Sequence, residues 1–372
     1  MIKNFLANVY KRYILYLSNK TYRIHIQNLQ RLFQLKREHA YKRYSWLVLD
    51  LGCGDGSLSV KLFGACELLV GVDLRVQVKS FLFKDKLISL PFCEYGGQLS
   101  ESNYVARSLW KIAIKVAGKL KVDYIEIRNP SNVPDIDEYY RIRRYVTFEI
   151  DLTKSKENLW LNLDKKTRNA VKKAMKNRVE VEEAKNEDDL KLYYRLYLKT
   201  QKRHGSPPND FRLFCNIYRQ LQPMGVMRIL LAKYQEKAIG GIIVFHFKRA
   251  RARIIYWWGN VTEPSYRHLN PTNLLLWKMI EWGNENGFKV FDLGRTRRGT
   301  SIYHFKSGWS GKEIVLQDYI YFLNRNAHMN GKEHTLPDPY QGKYRFLSKV
   351  WSLLPTILAE KIGPRIISEI GL

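Results

Sequence analysis

Three short, mainly apolar, strand-like runs lie in the middle of the chain: Val226–Ala232, Ile239–Phe247 and Arg253–Trp258. Runs of that length and composition predict three strands. The pattern then changes. Leu274, Leu275, Met279 and Trp282 recur at helical spacing between Asn270 and Asn286. Asn270 suits an N-cap, Pro271 a first-turn position and Gly287 the left-handed closing residue. A short strand follows, with Val290, Phe291 and Leu293 as its apolar positions. Gly294 turns it into a basic loop carrying Arg295, Arg297 and Arg298, which closes on Tyr303, His304, Phe305, Lys306 and Trp309.

Elsewhere the same reading predicts a basic helix in residues 1–45 and an amphipathic helix at Asn103–Lys121 that leads into a strand, Val122–Arg128. A glycine or lysine joins helix to strand there, as at 270–295, which is a weak internal repeat. Leu163–Arg178 is a strongly basic helix, and the acidic run Glu180–Asp189 is placed to neutralise part of it. Tyr193–Gln201 is another helix, broken at Gly205–Pro208 and followed by a third at Asp210–Gln220. Val350–Ile370 is an apolar, amphipathic tail interrupted by Pro355 and Pro364.

Strand, strand, strand, helix, strand is the core order of the N-acetyltransferase-like (GNAT) fold. Cations beside aromatics after a glycine-flanked strand suit a site for an anionic substrate group. The segment FDLGRTRRGTSIYHFKSGW resembles the closing segment of FemAB-related proteins, a strand, then GRS/T, then an F-K-x-x-W/F-G ending. Leu87–Glu101, Val122–Asn129, Leu163–Lys176, Tyr193–Pro207 and Lys343–Pro364 resemble, in the same order, the FemAB-related group found in exopolysaccharide and exosortase gene neighbourhoods. The resemblance runs from about Leu68 to the C-terminus. It implies an α/β (α+β) fold of tandem GNAT-like halves and transfer of an acyl or aminoacyl group to an amine of a cell-wall or polysaccharide precursor. Lys306 matches the family's F-K lysine, which implies a charge-stabilising role, with Phe305 beside it. His304 and Glu149 are acid/base candidates. Arg295, Arg298, Tyr303, Trp309, Lys165 and Arg168 are candidates for substrate binding.

The N-terminal part differs. Ser45–Leu62 reads as a strand, a glycine turn and a helix, and Leu68–Leu74 as a second strand. Asp50, Gly52, Gly54, Asp55, Gly56 and Asp73 resemble the first motif of class I S-adenosylmethionine-dependent methyltransferases. Such glycines let backbone approach a cofactor, and the acid can hold ribose hydroxyls. The rest of that fold has no room before Val78, so this is either a methyltransferase beginning joined to a shortened FemAB-like chain or a structural turn. The expected organisation is 1–67, a helical and methyltransferase-like segment; 68–150, an incomplete first GNAT-like half; 151–325, the second half; and 326–372, the tail.

Composition adds partners to this picture. The 372 residues carry 63 Lys and Arg against 35 Asp and Glu, a net charge of +28. That charge fits phosphate-rich partners: tRNA, nucleotide- or lipid-linked sugars, or an anionic membrane face. The turn before the 270–286 helix, Arg267–Thr272, lacks the glycines that acetyl-CoA-dependent GNAT proteins use, and Pro271 removes a backbone donor. This favours an aminoacyl-tRNA donor or an altered acyl-CoA mode, with no tightly bound cofactor. Cys53, Cys66, Cys93 and Cys215 make no CxxC pair, so neither a structural metal nor a disulfide framework is expected. No run nears the ~18 apolar residues of a membrane span, and a cytoplasmic protein, peripheral at most to the membrane, is expected. The two competing readings are a methyltransferase and a non-catalytic RNA-binding protein on a GNAT scaffold.

Overall fold

The apolar runs at 226–258 become three long neighbouring strands, and the helix marked by Pro271 and Gly287 packs beneath them. The computed structural model describes residues 47–50, 68–71, 74–77, 86–89, 95, 103–128, 140–249, 252–323 and 342–370. The chain divides into a small unit, Met1–Leu47 with Cys66–Leu68, and a second unit that holds the remainder and with it the large sheet. The positions Gly52, Gly54, Gly56 and Asp73 lie outside the described residues.

In chain order the first elements are β1 (Leu47–Asp50), β2 (Leu68–Gly71), β3 (Leu74–Gln77), β4 (Lys86–Ser89), α1 (Asn103–Leu120), β5 (Tyr124–Arg128) and β6 (Tyr140–Asp151). Next come α2 (Lys156–Asn162), α3 (Lys165–Lys176), β7 (Glu180–Glu183), α4 (Glu187–His204) and α5 (Phe211–Leu221). Strands β8 (Met227–Tyr234), β9 (Lys237–Arg249) and β10 (Ala252–Thr262) precede α6 (Pro271–Glu285) and β11 (Val290–Asp292). The last are β12 (Thr296–Arg297), α7 (Ser301–Ser307), β13 (Lys312–Phe322), α8 (Gly342–Leu353) and α9 (Thr356–Ile370). β1 pairs with β2. The other strands form one sheet in the order β3-β4-β5-β13-β6-β11-β10-β9-β8-β7, with β12 against β6.

Two parallel pairs stand out in that order. β4 and β5 are parallel and joined through α1; β10 and β11 are parallel and joined through α6. The weak repeat in the sequence therefore corresponds to two strand–helix–strand units. Their closing strands are exchanged. β6 follows β5 in the chain but pairs with β11, and β13 follows β11 but pairs with β5. The two strands also pair with each other, so the halves are sewn into one sheet.

Each crossover helix covers one face of its own pair. Trp110, Ala113 and Ala117 of α1 join Leu87, Ile125 and Ile127 in one buried cluster. Leu275, Met279 and Ile280 of α6 lie in another with Ile255 and Phe291. A buried aliphatic side chain of this size contributes about 1.5–3 kcal/mol, so these faces dominate the stability of both units. Gly287 closes α6 with a left-handed φ of 69°, and Pro271 occupies its first turn, as the sequence predicts. Asn270 differs from its expected capping role. It is itself left-handed, φ 55°, and its side chain makes no cap hydrogen bond, because the Pro264–Leu269 3-10 turn ends on it.

The expected basic loop after Gly294 is also more ordered than predicted. Thr296 and Arg297 add a short strand to β6, and Thr300 caps α7 by accepting from the Tyr303 N–H at 3.3 Å.

Candidate active site

Strands β10 and β11 stay paired only over Ile254–Tyr256 and Val290–Asp292. Then they part. β10 bulges between Trp257 and Gly259 and runs on to Thr262 beside β9, while Leu293 turns its N–H to the Phe148 carbonyl of β6 at 2.9 Å. Gly294 makes the turn with φ 72°. A Cβ there would lie 2.9 Å from the Trp257 carbonyl, so only glycine fits. Parting parallel strands open a wedge at the centre of the sheet.

At the last paired level, a row of side chains crosses four strands. Tyr256 on β10 is paired with Asp292 on β11, Asp292 with Glu149 on β6, and Glu149 with Lys312 on β13. Residues directly opposite across a sheet share a face, with Cβ atoms about 5 Å apart. Asp292 is only 2% exposed. It accepts hydrogen bonds from the Thr147 hydroxyl, from the Gly294 N–H at 2.8 Å and from the Tyr95 hydroxyl at 2.5 Å. Burial, and then the charge of Asp292, push the Tyr95 phenol far above its ordinary range, so Tyr95 stays a donor. Its ring also stands edge-on to Tyr256, 5.9 Å between centroids.

Glu149 is the more accessible of the two carboxylates in the row. Partial burial, and next the neighbouring charge of Asp292, raise its carboxyl above the ordinary range; Lys312 opposes them. Two carboxyls held side by side, one fixed by donors and the other raised and reachable, is the arrangement that separates a positioning acid from a proton-transferring one.

The first half holds a carboxylate at the corresponding position, Glu126, paired with Ile88 on β4 and Ile320 on β13. There the neighbours in the row are apolar. Lys86 reaches Glu126 at 3.1 Å and Arg128 at 3.0 Å. Burial would raise Glu126, but the two cations outweigh it and bring the carboxyl down to about 2. A carboxylate held so firmly ionised is a poor proton acceptor.

The sequence candidates divide. Lys306 reaches the wedge from α7, but it is buried at 6% exposure rather than displayed on a loop. Its ammonium donates to the carbonyls of Gly294 at 2.8 Å and Arg295 at 3.1 Å, and lies 5.3 Å from the centre of the Trp257 ring. The Thr147 hydroxyl, whose proton goes to Asp292, lies 3.1 Å from the same Gly294 carbonyl, and Asp292 holds the Gly294 N–H, so Lys306, Thr147 and Asp292 converge on the two peptides of the Gly294 turn. Lys306→Ala removes the ammonium from two carbonyls, and an unsatisfied buried acceptor costs about 1–3 kcal/mol. A lowered denaturation midpoint is the expected result, and an unchanged midpoint would show that solvent replaces the ammonium freely.

The other candidates point elsewhere. The Arg295 guanidinium makes a two-point ion pair with Asp318, one arm at 2.5 Å, and stacks 3.6 Å over Tyr145. Arg298 pairs with Glu313, which also accepts from the Tyr303 hydroxyl at 2.6 Å. Trp309 is buried in the core, where Phe305 packs beside it and Trp257. His304 is exposed at the end of α7. Arg168 donates to the carbonyls of Leu161 and Leu163, closing α2. Lys165 is exposed on the first turn of α3.

Helix α3 buries Thr167, Val171 and Ala174 and exposes Lys165, Lys166, Lys172, Lys173 and Lys176. The acidic run behind it does not neutralise this face as expected. Glu182 and Glu183 pair with Lys233 and Arg228 of β8, and Glu187 with Arg219 of α5. β7 is the edge strand beside β8, so Glu182 and Glu183 meet the cations of that neighbour. The missed residues are Asp292, Thr147, Tyr95, Tyr256 and Lys312. For Asp292, Thr147 and Tyr256 the signal was a carboxylate or hydroxyl inside an otherwise apolar strand segment; Tyr95 and Lys312 had none.

Residues 162–307 match the acetyltransferase (GNAT) domain family. The match covers less than half of the chain. It spans α3 to α7 and so contains the wedge, Asp292 and Lys306. Glu149 and Thr147 lie outside it, on the exchanged strand β6. No protein of curated function matches the chain. Among solved structures, one of FemX superposes with a TM-score of 0.51 and 14% identity, covering 69% of this chain and 86% of that one. The C-terminal domain of a putative lysylphosphatidylglycerol synthetase from Agrobacterium fabrum gives 0.46 and 8%, covering 68% and 85%. A tandem GNAT protein from the clavulanic acid biosynthesis pathway gives 0.42 and 11%, covering 64% and 75%. At such identity the FemX likeness bears on the fold alone. The chain is thus a mixed α/β protein with a GNAT domain in a large mixed sheet, and among the described residues no helix is long and apolar enough to cross a membrane.

Proposed function

We propose that the protein is a FemAB-like N-acyltransferase with its reaction centre at the β10–β11 wedge, and that Glu149 is its general base. The observation that carries this reading is the Asp292–Glu149 pair, one carboxyl locked by three donors and the other raised and more accessible. Glu149 takes a proton from the acceptor amine. The amine nitrogen bonds to the acyl carbon, the bond from that carbon to the donor's sulfur or oxygen breaks, and the leaving group is released protonated. The oxyanion that forms between these steps is assigned to backbone N–H groups of β10 beyond Tyr256, where the strand leaves β11. Lys306 positions the Gly294 peptide, and through it Asp292.

The donor is an aminoacyl-tRNA or an acyl-CoA, neither tightly bound. The acceptor is an amine on a cell-wall or polysaccharide precursor, lipid- or nucleotide-linked. The basic face of α3 and the net charge of +28 support a phosphate-rich substrate. Radiolabelled acetyl-CoA and a mixed aminoacyl-tRNA pool, each offered with nucleotide- and lipid-linked amino sugars, test the reading. Transfer by the wild type from one donor supports it, and none from either contradicts it.

Helix α3 makes a separate prediction. Replacing Lys165, Lys172, Lys173 and Lys176 by Gln weakens tRNA binding and flattens its salt dependence. Each lost phosphate contact to a single strand lowers the log–log slope by about 0.7. Filter binding across a salt series checks this; an unchanged slope would assign the lysines to solubility.

A further inference from the structure

Helices α8 and α9 dock on α4 and leave an apolar face outward. Trp351 of α8 and Ala359 and Ile367 of α9 are buried. The Ser348 hydroxyl donates to the His204 carbonyl at the end of α4 at 3.2 Å, and Gly363 lies against Pro208. The inward face is therefore satisfied. On the opposite side of α8, Phe346, Val350 and Leu353 follow one another at i, i+4 and i+7, 67%, 45% and 82% exposed. Ile357 at the start of α9 is 72% exposed, with Leu358 beside it. A helix packed on a protein normally turns polar residues outward. This one turns Phe346, Val350 and Leu353 to solvent as well, and an exposed apolar patch marks a site of association.

The charge around the patch names the occupant. Lys349 and Lys361 are exposed on the same two helices. The segment from Gly342 onward carries Lys343, Arg345, Lys349, Lys361 and Arg365 against Glu360 and Glu369. A second copy of the chain would bring two bodies of +28 together, which their repulsion opposes. An anionic bilayer surface satisfies both features, taking the apolar side chains into the acyl boundary and the lysines to its headgroups.

We propose that the α8–α9 face is a membrane-docking surface for anionic lipid, with Phe346, Leu353 and Ile357 as the inserting side chains. Co-sedimentation of the full chain with phosphatidylcholine vesicles, with and without phosphatidylglycerol, tests it. This reads lipid binding and not transfer, so it stands or falls apart from the catalytic assignment. The wild type binds the phosphatidylglycerol vesicles and not the neutral ones. Phe346→Ser/Leu353→Ser/Ile357→Ser binds them at least tenfold more weakly, and Lys349→Gln/Lys361→Gln also loses affinity. Because the triple variant could disturb the docked helices, Leu353→Trp gives a second reading, the difference between its emission and that of the wild type. That difference moves to shorter wavelength on adding anionic vesicles. Wild-type affinity in the triple variant, an unshifted Leu353→Trp difference, or a wild-type dimer that the triple variant abolishes would overturn the proposal.

Discussion

Glu149→Gln loses most of the transfer rate and none of the fold. A positioned general base contributes about 100- to 10,000-fold, and a Gln at the same place keeps the shape of the side chain without its basicity. The loss falls on kcat, since proton removal belongs to the transition state and not to substrate binding. Stability changes in the other direction from an ordinary loss of contact. The Glu149 carboxyl is raised by partial burial and by Asp292, so its charged form is the one the folded state disfavours. Above that raised pKa the folded state carries a cost the unfolded chain does not, and Gln removes it. Glu149→Gln is therefore expected to melt no lower than the wild type at pH 8. A rate within a few-fold of wild type would take Glu149 out of the chemistry. A lowered melting point would make it a structural acid instead.

Glu126→Ala is expected to do the reverse, lowering stability first. It leaves Lys86 and Arg128 buried beside each other without the carboxylate that both contact at 3.0–3.1 Å. Removing one partner from a buried ion pair costs about 3–5 kcal/mol, because the remaining charges cannot be hydrated. The pH dependence has a definite sign. The carboxyl is depressed to about 2 in the folded protein, so its contribution is complete above the ordinary carboxylate range. It disappears as pH falls towards that depressed value. The gap between wild type and Glu126→Ala in denaturant melts should thus be widest near neutrality and close towards pH 2. A gap below about 1 kcal/mol at pH 7 would show that water reaches the cluster, as it does for exposed pairs.

The contrast between these two acids also shows what the chain discloses by itself. The α6 boundaries were legible because proline and glycine act locally, at positions 271 and 287. Strands β8 to β10 were legible because burial on both faces makes them short, nearly continuous apolar runs. The strand exchange was not. Whether β6 pairs with β5 or with β11 depends on partners more than a hundred residues apart, and no local pattern records that choice. The same distance explains the misread arginine. Arg295 looked like a free cation for substrate because its carboxylate, Asp318, comes 23 residues later and meets it only after β13 folds back. Lys306 was found through its motif. Its burial under the Gly294 turn was hidden, since Ser301–Ser307 reads as loop unless Thr300 is taken as a cap. Asp292 was overlooked because an acid between Phe291 and Leu293 looks like the solvent side of a strand. In the folded sheet that side is occupied by Tyr95, Thr147 and Glu149.

The coupling between Asp292 and Glu149 is the centre of the proposed mechanism, and the pH profile of kcat/KM measures it. With the donor found in the transfer assay, the wild type should gain activity with rising pH along a limb centred above the ordinary carboxylate range. Asp292→Asn keeps an acceptor for Thr147 and removes the negative charge that raises Glu149, so its limb should move to lower pH, whatever its maximal rate. A limb at the same pH in both proteins, or one that survives in Glu149→Gln, would contradict the assignment of the base.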